Sequence, residues 1–393
     1  MFNKLRNIGP ASLVAAAFIG PGTVTICTLA GVNHGFSLLW ALLFSTLATI
    51  LLQEMAARLG IVSKAGLGEA LRDNMVQPVG KWISAILVLS AILIGNAAYE
   101  AGNISGAALG VSYFSLGGTN VIALLIGLVA FVLLYIGVYK IIERFLVVMV
   151  ILMSVCFLLT ALLSGPDWAS LFKGLLIPSI PDGSLLTVIG LIGTTIVPYN
   201  LFLHASIVNE KWNDASISDV RWDTMVSIGL GGIVSMCIII SGAAIIGGEV
   251  TSAADLSRGL VPLLGDYAGV TIAIGLCAAG LTSAITAPLA AAYATCGILG
   301  WSKDMKSFKF RAIWAIILII GVTFSMLGIK PIEVIKFAQI ANGLLLPFIA
   351  IFLIWAVNQP KIMGDHKNTL WQNILGYSVM AVCLGLGIYT ILK

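Results

Sequence analysis

Gly20-Pro21-Gly22-Thr23 lies inside the first apolar stretch of this chain, and Val197-Pro198-Tyr199-Asn200 lies inside the sixth. Proline has no N–H and its ring clashes with the preceding turn, so each segment interrupts a helix and frees backbone carbonyls and amides. Hydrocarbon cannot satisfy such groups, which persist in a membrane only where protein or a water-filled cavity surrounds them. Two broken helices at matching places in the two halves of an apolar chain point to a substrate site between inverted repeats.

The composition agrees with that reading. Hydrophobic residues make up 59% of the 393 residues, charged residues 10%, and the mean hydropathy is +1.06. Soluble domains carry roughly 25% charged residues, so this is an integral membrane protein. Runs of about 20 apolar residues suffice to cross a hydrocarbon core. Eleven are expected, at 9–33, 37–59, 82–111, 120–138, 145–163, 185–208, 224–246, 269–298, 312–327, 334–357 and 370–392. They form one transmembrane domain over 1–393, with repeat one at about 9–163, repeat two at about 185–357 and an extra helix at about 370–392.

Positive residues orient the chain, because cytosolic loops are enriched in them. With the N-terminus inside, Lys4, Arg6, Arg58, Lys64, Arg72, Lys81, Lys140, Arg144, Lys211, Arg221, Lys303, Lys306, Lys309, Arg311, Lys361 and Lys367 are cytosolic, sixteen of the 21. Lys173, Arg258, Lys330, Lys336 and Lys393 fall on the other side, with the C-terminus. The net charge of +4 follows from this topology and gives no reason to invoke nucleic acid. Cys27, Cys156, Cys237, Cys277, Cys296 and Cys383 all lie in predicted spans without metal-ligand spacing and read as packing residues. No cofactor, obligate protein partner or cleaved signal segment is implied; the lipid bilayer is the surrounding partner.

Polar residues inside the spans are costly and mark a pathway or a partner helix. Asn96, Glu100 and Asn103 share one face of the third span, which suits either an interhelical hydrogen-bonding face or a proton or cation relay. Glu54, near the inner end of the second span, reads as a cytosolic gate or a helix-end pair. Gln339 and Asn342 share a face of the tenth span and suit either helix pairing or a cavity lining. Thr194, Thr195 and His204 flank the second break; His204 reads as an interhelical hydrogen bond, a wet inner vestibule or a relay.

The runs Gly20-Pro-Gly-Thr-Val-Thr-Ile-Cys-Thr-Leu-Ala-Gly31, Phe36-Ser-Leu-Leu-Trp40 and Leu52-Gln-Glu-Met-Ala-Ala-Arg-Leu-Gly-Ile-Val62 resemble the first two helices of the Nramp divalent-metal transporters. Val197-Pro-Tyr-Asn-Leu-Phe-Leu-His204 resembles their sixth-helix signature Met-Pro-His-Asn-Leu-Tyr-Leu-His, and Gln339 falls where the family has a tenth-helix glutamine. The resemblance implies an all-α fold with a LeuT-like inverted five-plus-five repeat, broken helices 1 and 6, and alternating access. In typical members it implies proton-linked uptake of manganese or ferrous iron.

Several residues depart from the family pattern. Gly20 and Thr23 stand where the family usually reads Asp and Asn, Val197 replaces its methionine, and Tyr199 replaces a histidine tied to proton movement. The anionic ligand and the soft thioether are both missing, and only Glu100 remains of the acids usual in the third helix. The expected substrate site comprises Gly20, Gly22, Thr23, Thr194, Val197, Tyr199, Asn200, Gln339 and Asn342, with Thr23, Asn200 and Gln339 as metal ligands and Glu100 and His204 as relay residues. A dehydrated divalent ion among neutral groups would lack charge compensation. A divalent cation that keeps much of its water, magnesium above all, suits such a site better. A small organic solute held by backbone dipoles and the Tyr199 ring is the alternative, and a transport-inactive sensor a third. No nucleophile, base and oxyanion arrangement suggests an enzyme.

Overall fold

The structure, a computed structural model, describes residues 19–74, 78–114, 117–137, 140–212, 215–245 and 249–392. The described residues contain helices and no strand. The helices are α1 (Pro21–His34), α2 (Leu39–Ser63), α3 (Leu67–Asn74), α4 (Pro78–Ser112), α5 (Thr119–Ile136), α6 (Lys140–Leu163), α7 (Trp168–Leu176), α8 (Leu185–Thr195) and α9 (Pro198–Lys211). There follow α10 (Ile217–Ala243), α11 (Ala253–Ser257), α12 (Val261–Leu264), α13 (Ala268–Leu299), α14 (Phe308–Ser325), α15 (Pro331–Val357), α16 (Pro360–Met363) and α17 (Leu370–Leu392).

Among the described residues, ten helical segments are long and apolar enough to cross a membrane, with the broken pair α8–α9 counted as one. The first expected span enters this region only as α1. Its N-terminal half lies outside the described residues with Lys4 and Arg6, as does Lys393, so a count of eleven rests on that segment.

Short helices in the connections, α3, α7, α11, α12 and α16, were not expected from the hydropathy pattern. Their local causes are visible in the sequence. Asp167 caps α7 by accepting from the backbone N–H groups of Ala169 and Ser170. The Ser170 hydroxyl and these N–H groups hold the Asp167 carboxyl below its usual range. Ser252 and Asp255 form a reciprocal capping box at α11.

The long helix α4 is the central post, packed against α13, α14 and α15, while α1 lies along α10 and α8 along α15. Lipid tails are as apolar as leucine, so helices in a membrane associate through close packing and interhelical hydrogen bonds. Small residues make that approach possible where it matters for the site. Gly31 of α1 abuts the backbone of α10 at Ile239 and Gly242, and Gly193 of α8 abuts the Gln339 carbonyl of α15. Any side chain at either glycine would drive two backbones apart.

Candidate functional site

Both breaks have the geometry that proline dictates. Gly20 and Val197 are extended N-caps (φ −97°, ψ −175° and φ −81°, ψ 117°), and Pro21 and Pro198 open α1 and α9. Proline suits the first helical position because its missing N–H has no intrahelical partner there. The last turn of α8 ends at Thr195, and Pro198 cannot give the Thr194 carbonyl the bond that a continuous helix would supply.

The first turn of α1 meets the last turn of α8: the hydroxyls of Thr23 and Thr194 hydrogen-bond at 2.9 Å, 171 positions apart in the chain. A helix start carries partial positive charge and a helix end partial negative charge, and this hydroxyl contact brings one of each together. The third member of the junction is α15. Its Gln339 amide lies directly over Gly22, where a methyl group would strike it, and its backbone carbonyl lies against Gly193. The structure thus brings Gly20, Gly22, Thr23, Thr194 and Gln339 to one junction of α1, α8 and α15.

Asn200 sits in the first turn of α9, buried, with its Oδ1 unpartnered. One turn further, His204 Nδ1 pairs with Gln53 Oε1 of α2 at 2.9 Å, while its Nε2 has no partner. The interhelical hydrogen bond read for His204 is therefore present. Its partner Gln53 stands beside Glu54 in α2, where the sequence alone offers no sign that it reaches the second break. Gln339 Oε1 is also buried and unpartnered, as are the hydroxyls of Thr25 and Thr28 in α1. Nothing in the sequence pattern distinguished these two threonines from packing residues.

The remaining expected residues lie around the junction. Val197 and Tyr199 pack in an apolar cluster with Ile19, Tyr99, Ala278 and Ala279, and the Tyr99 and Tyr199 rings meet edge-on with centroids 5.4 Å apart. Ile19 immediately precedes Gly20, so this cluster borders the first break. Asn342 is buried and faces Gly95 of α4. Glu100 is buried and packs against Gly321 of α14; its Oε2 accepts from Asn103 at 3.3 Å and its Oε1 is unpartnered. Asn96 spends its amide on the Ile92 carbonyl of its own helix at 2.8 Å. Thr195 likewise bonds back to the Leu191 carbonyl, at 2.9 Å.

Glu54, next to Gln53 on α2, proves to be the hub of a separate network. Its carboxylate accepts from Arg58 (Nε to Oε1 2.9 Å, Nη2 to Oε2 3.2 Å) and from Arg221 of α10 (Nε to Oε1 2.7 Å). Arg58 is buried and also donates to the His366 carbonyl and, at 2.7 Å, to Asn368 Oδ1, both in the connection before α17.

The junction is electrically neutral. Its polar groups are hydroxyls, amides and backbone dipoles, and no group of three or more His, Cys, Asp or Glu that could hold a metal occurs among the described residues. Hydroxyl and amide oxygens are hard ligands, suited to cations that retain water rather than to soft transition metals.

Comparison with known proteins bears on this geometry. A family profile described as "Natural resistance-associated macrophage protein-like" (Nramp) matches residues 11–393. A "Divalent metal cation transporter MntH" of Klebsiella pneumoniae is 27% identical over 403 residues, spanning 98% of this chain and 93% of its own. One from Yersinia pestis is 25% identical over 404 residues, spanning 99% and 95%. Among solved structures, the manganese transporter of Eremococcus coleocola superposes with a TM-score of 0.79 at 24% identity, over 99% of this chain and 86% of its own. MhsT in complex with L-phenylalanine gives a TM-score of 0.62 at 16% identity, over 97% of each chain. At such identities the structural likeness concerns the fold.

Proposed function

The chain belongs to the Nramp family, and on that premise we propose that it carries divalent metal cations through the junction of its broken helices by alternating access. Magnesium, or a broad range of divalent ions, is its cargo in preference to manganese or iron. The observation that carries this reading is the neutral, hard-oxygen character of the junction. Thr23 and Thr194 join the breaks, Asn200 Oδ1 and Gln339 Oε1 are buried without partners, and Gly20 and Val197 supply neither carboxylate nor thioether.

A bare divalent ion among such groups would be an uncompensated buried charge. Magnesium dehydrates reluctantly and normally keeps several waters, which spread its charge before the protein ligands meet it. Thr23, Thr194, Asn200 and Gln339 are all at most 1% exposed, so loading a hydrated ion requires the helices at the junction to part. Proton coupling is weak or absent in this reading. Tyr199 packs on Tyr99 where the family pattern has a histidine, and of the Glu100 carboxyl one oxygen accepts from Asn103 while no other carboxylate of α4 lies beside it in the span to form a chain.

The lopsided distribution of lysine and arginine supports a cytoplasmic N-terminus and an extracytoplasmic C-terminus. The test is flux into proteoliposomes. Magnesium uptake exceeding manganese uptake, without acidification of a trapped pH dye, is expected. Absence of both fluxes above empty vesicles overturns metal transport, and thermal stabilisation by amino acids or amines but not by metals would identify an organic substrate instead.

A further inference from the structure

On the surface between α2, α10 and α17 a recess of about 520 Å³ is lined by apolar side chains, among them Leu47, Leu51, Met225, Leu375 and Val379. Polar groups enter its wall chiefly through Glu54, Arg221 and Gln372. Glu54 is shared by two guanidinium groups, so two cations meet one anion there. Arg58 is buried, and its donors are taken by Glu54, Asn368 and the His366 carbonyl. The Arg221 side chain, by contrast, is 49% exposed and uses only its Nε; its two Nη groups have no partner among the described residues. Gln372 accepts from Thr369 through Oε1, which leaves its amide nitrogen available as a donor. Neighbouring carboxylates are engaged elsewhere: Asp219 with Ser216 and Asp223 with Ser227. Asp365 is exposed in the connection before α17.

We propose that this recess binds a phospholipid with an anionic headgroup. One acyl chain lies along the apolar walls, and the phosphate is held by the Nη groups of Arg221 with the Gln372 amide beside it. Charge complementarity selects the headgroup, because the shared Glu54 leaves an excess of positive charge at the recess. A guanidinium fork matches phosphate geometry with two parallel hydrogen bonds. In the topology proposed from the positive residues, Arg221 lies on the cytoplasmic side with most of the lysines and arginines, and basic pockets between helices on that side suit anionic lipid headgroups. A bound lipid would join α10 to α17 across the Glu54 network without touching the junction of the breaks.

The experiment compares thermal unfolding of the full chain in nanodiscs of phosphatidylcholine alone and of phosphatidylcholine mixed with phosphatidylglycerol. Phosphatidylglycerol is expected to raise the midpoint by a few degrees, on the order of 2 °C or more, as a ligand of the folded state does. Arg221→Gln removes that gain, Arg221→Lys keeps part of it, and Leu47→Trp removes it by filling the recess. Each variant is its own reference in phosphatidylcholine, so general losses of stability cancel, and Leu47→Trp carries the test if Arg221→Gln does not fold. An undiminished gain in Arg221→Gln or in Leu47→Trp overturns the proposal. So does an equal gain from soluble glycerol phosphate in phosphatidylcholine discs, which would make this a site for free anions.

Discussion

Two buried polar regions of this molecule are built on opposite principles. In the network around Glu54, every oxygen of the carboxylate and the donors of Arg58 find partners at 2.7–3.2 Å or closer. Beside the breaks, Asn200 Oδ1 in the first turn of α9 and Gln339 Oε1 over Gly22 are equally buried and have none. A buried polar atom without a partner costs about 1–3 kcal/mol, so such atoms persist where something else repays them. On the function proposed above, the contrast separates a region that holds the helices from the region through which the cation passes. It also explains why charge is tolerated at the first and absent from the second.

The sharpest test of the first half is Arg58→Ala. Removing Arg58 leaves Glu54 paired with Arg221 alone and takes the donor from Glu54 Oε2 and from Asn368 Oδ1; a buried acceptor left without a partner costs about 1–3 kcal/mol, and the space of a buried side chain is emptied as well. A large fall in the unfolding midpoint is expected, with magnesium affinity of the remaining folded protein unchanged. If stability stays within about 0.5 kcal/mol of the parent, the network is an ornament and the comparison fails.

The second half is tested by restoring what the junction lacks. Gly20→Asp supplies an anion at the first break, and Val197→Met supplies a thioether from the cluster beside Ile19. Together they are expected to tighten manganese binding at least about tenfold, equivalent to about 1.4 kcal/mol, read by calorimetry on the folded double variant. An unchanged affinity would place the metal elsewhere.

The sequence reveals some of this architecture better than the rest, and the reason is range. Proline acts on its own turn, so both breaks and the long apolar helices were legible from composition and local pattern. The orphaned status of Asn200 and Gln339 was not, because it depends on what fails to approach them in three dimensions. Likewise the Thr23 to Thr194 contact joins positions 171 apart, and His204 to Gln53 joins positions 151 apart. Val197 and Tyr199 show the same limit. Their neighbours in the chain belong to the break, yet their side chains turn into the apolar cluster with Ile19 and Tyr99. At Glu54 the sequence offers Arg58 one turn away, but the second partner, Arg221, reaches it from α10 across 167 positions.

The smallest predicted effect discriminates most finely, because it compares two hydrogen bonds of one kind in different places. Thr23 and Thr194 pair at 2.9 Å between the breaks, and Ser105 and Ser325 pair at 3.0 Å between α4 and α14. Interhelical hydrogen bonds in membranes average about 0.6 kcal/mol, so Thr194→Val and Ser105→Ala should each lower stability by about that amount. If the junction is the cargo site, only Thr194→Val also removes a hard oxygen from the path of the ion, and only it should reduce magnesium flux, about tenfold if one cation contact worth about 1.4 kcal/mol is lost. Equal flux losses in the two variants would mean that transport responds to helix packing in general, and the division between a holding region and a ligand region would not stand.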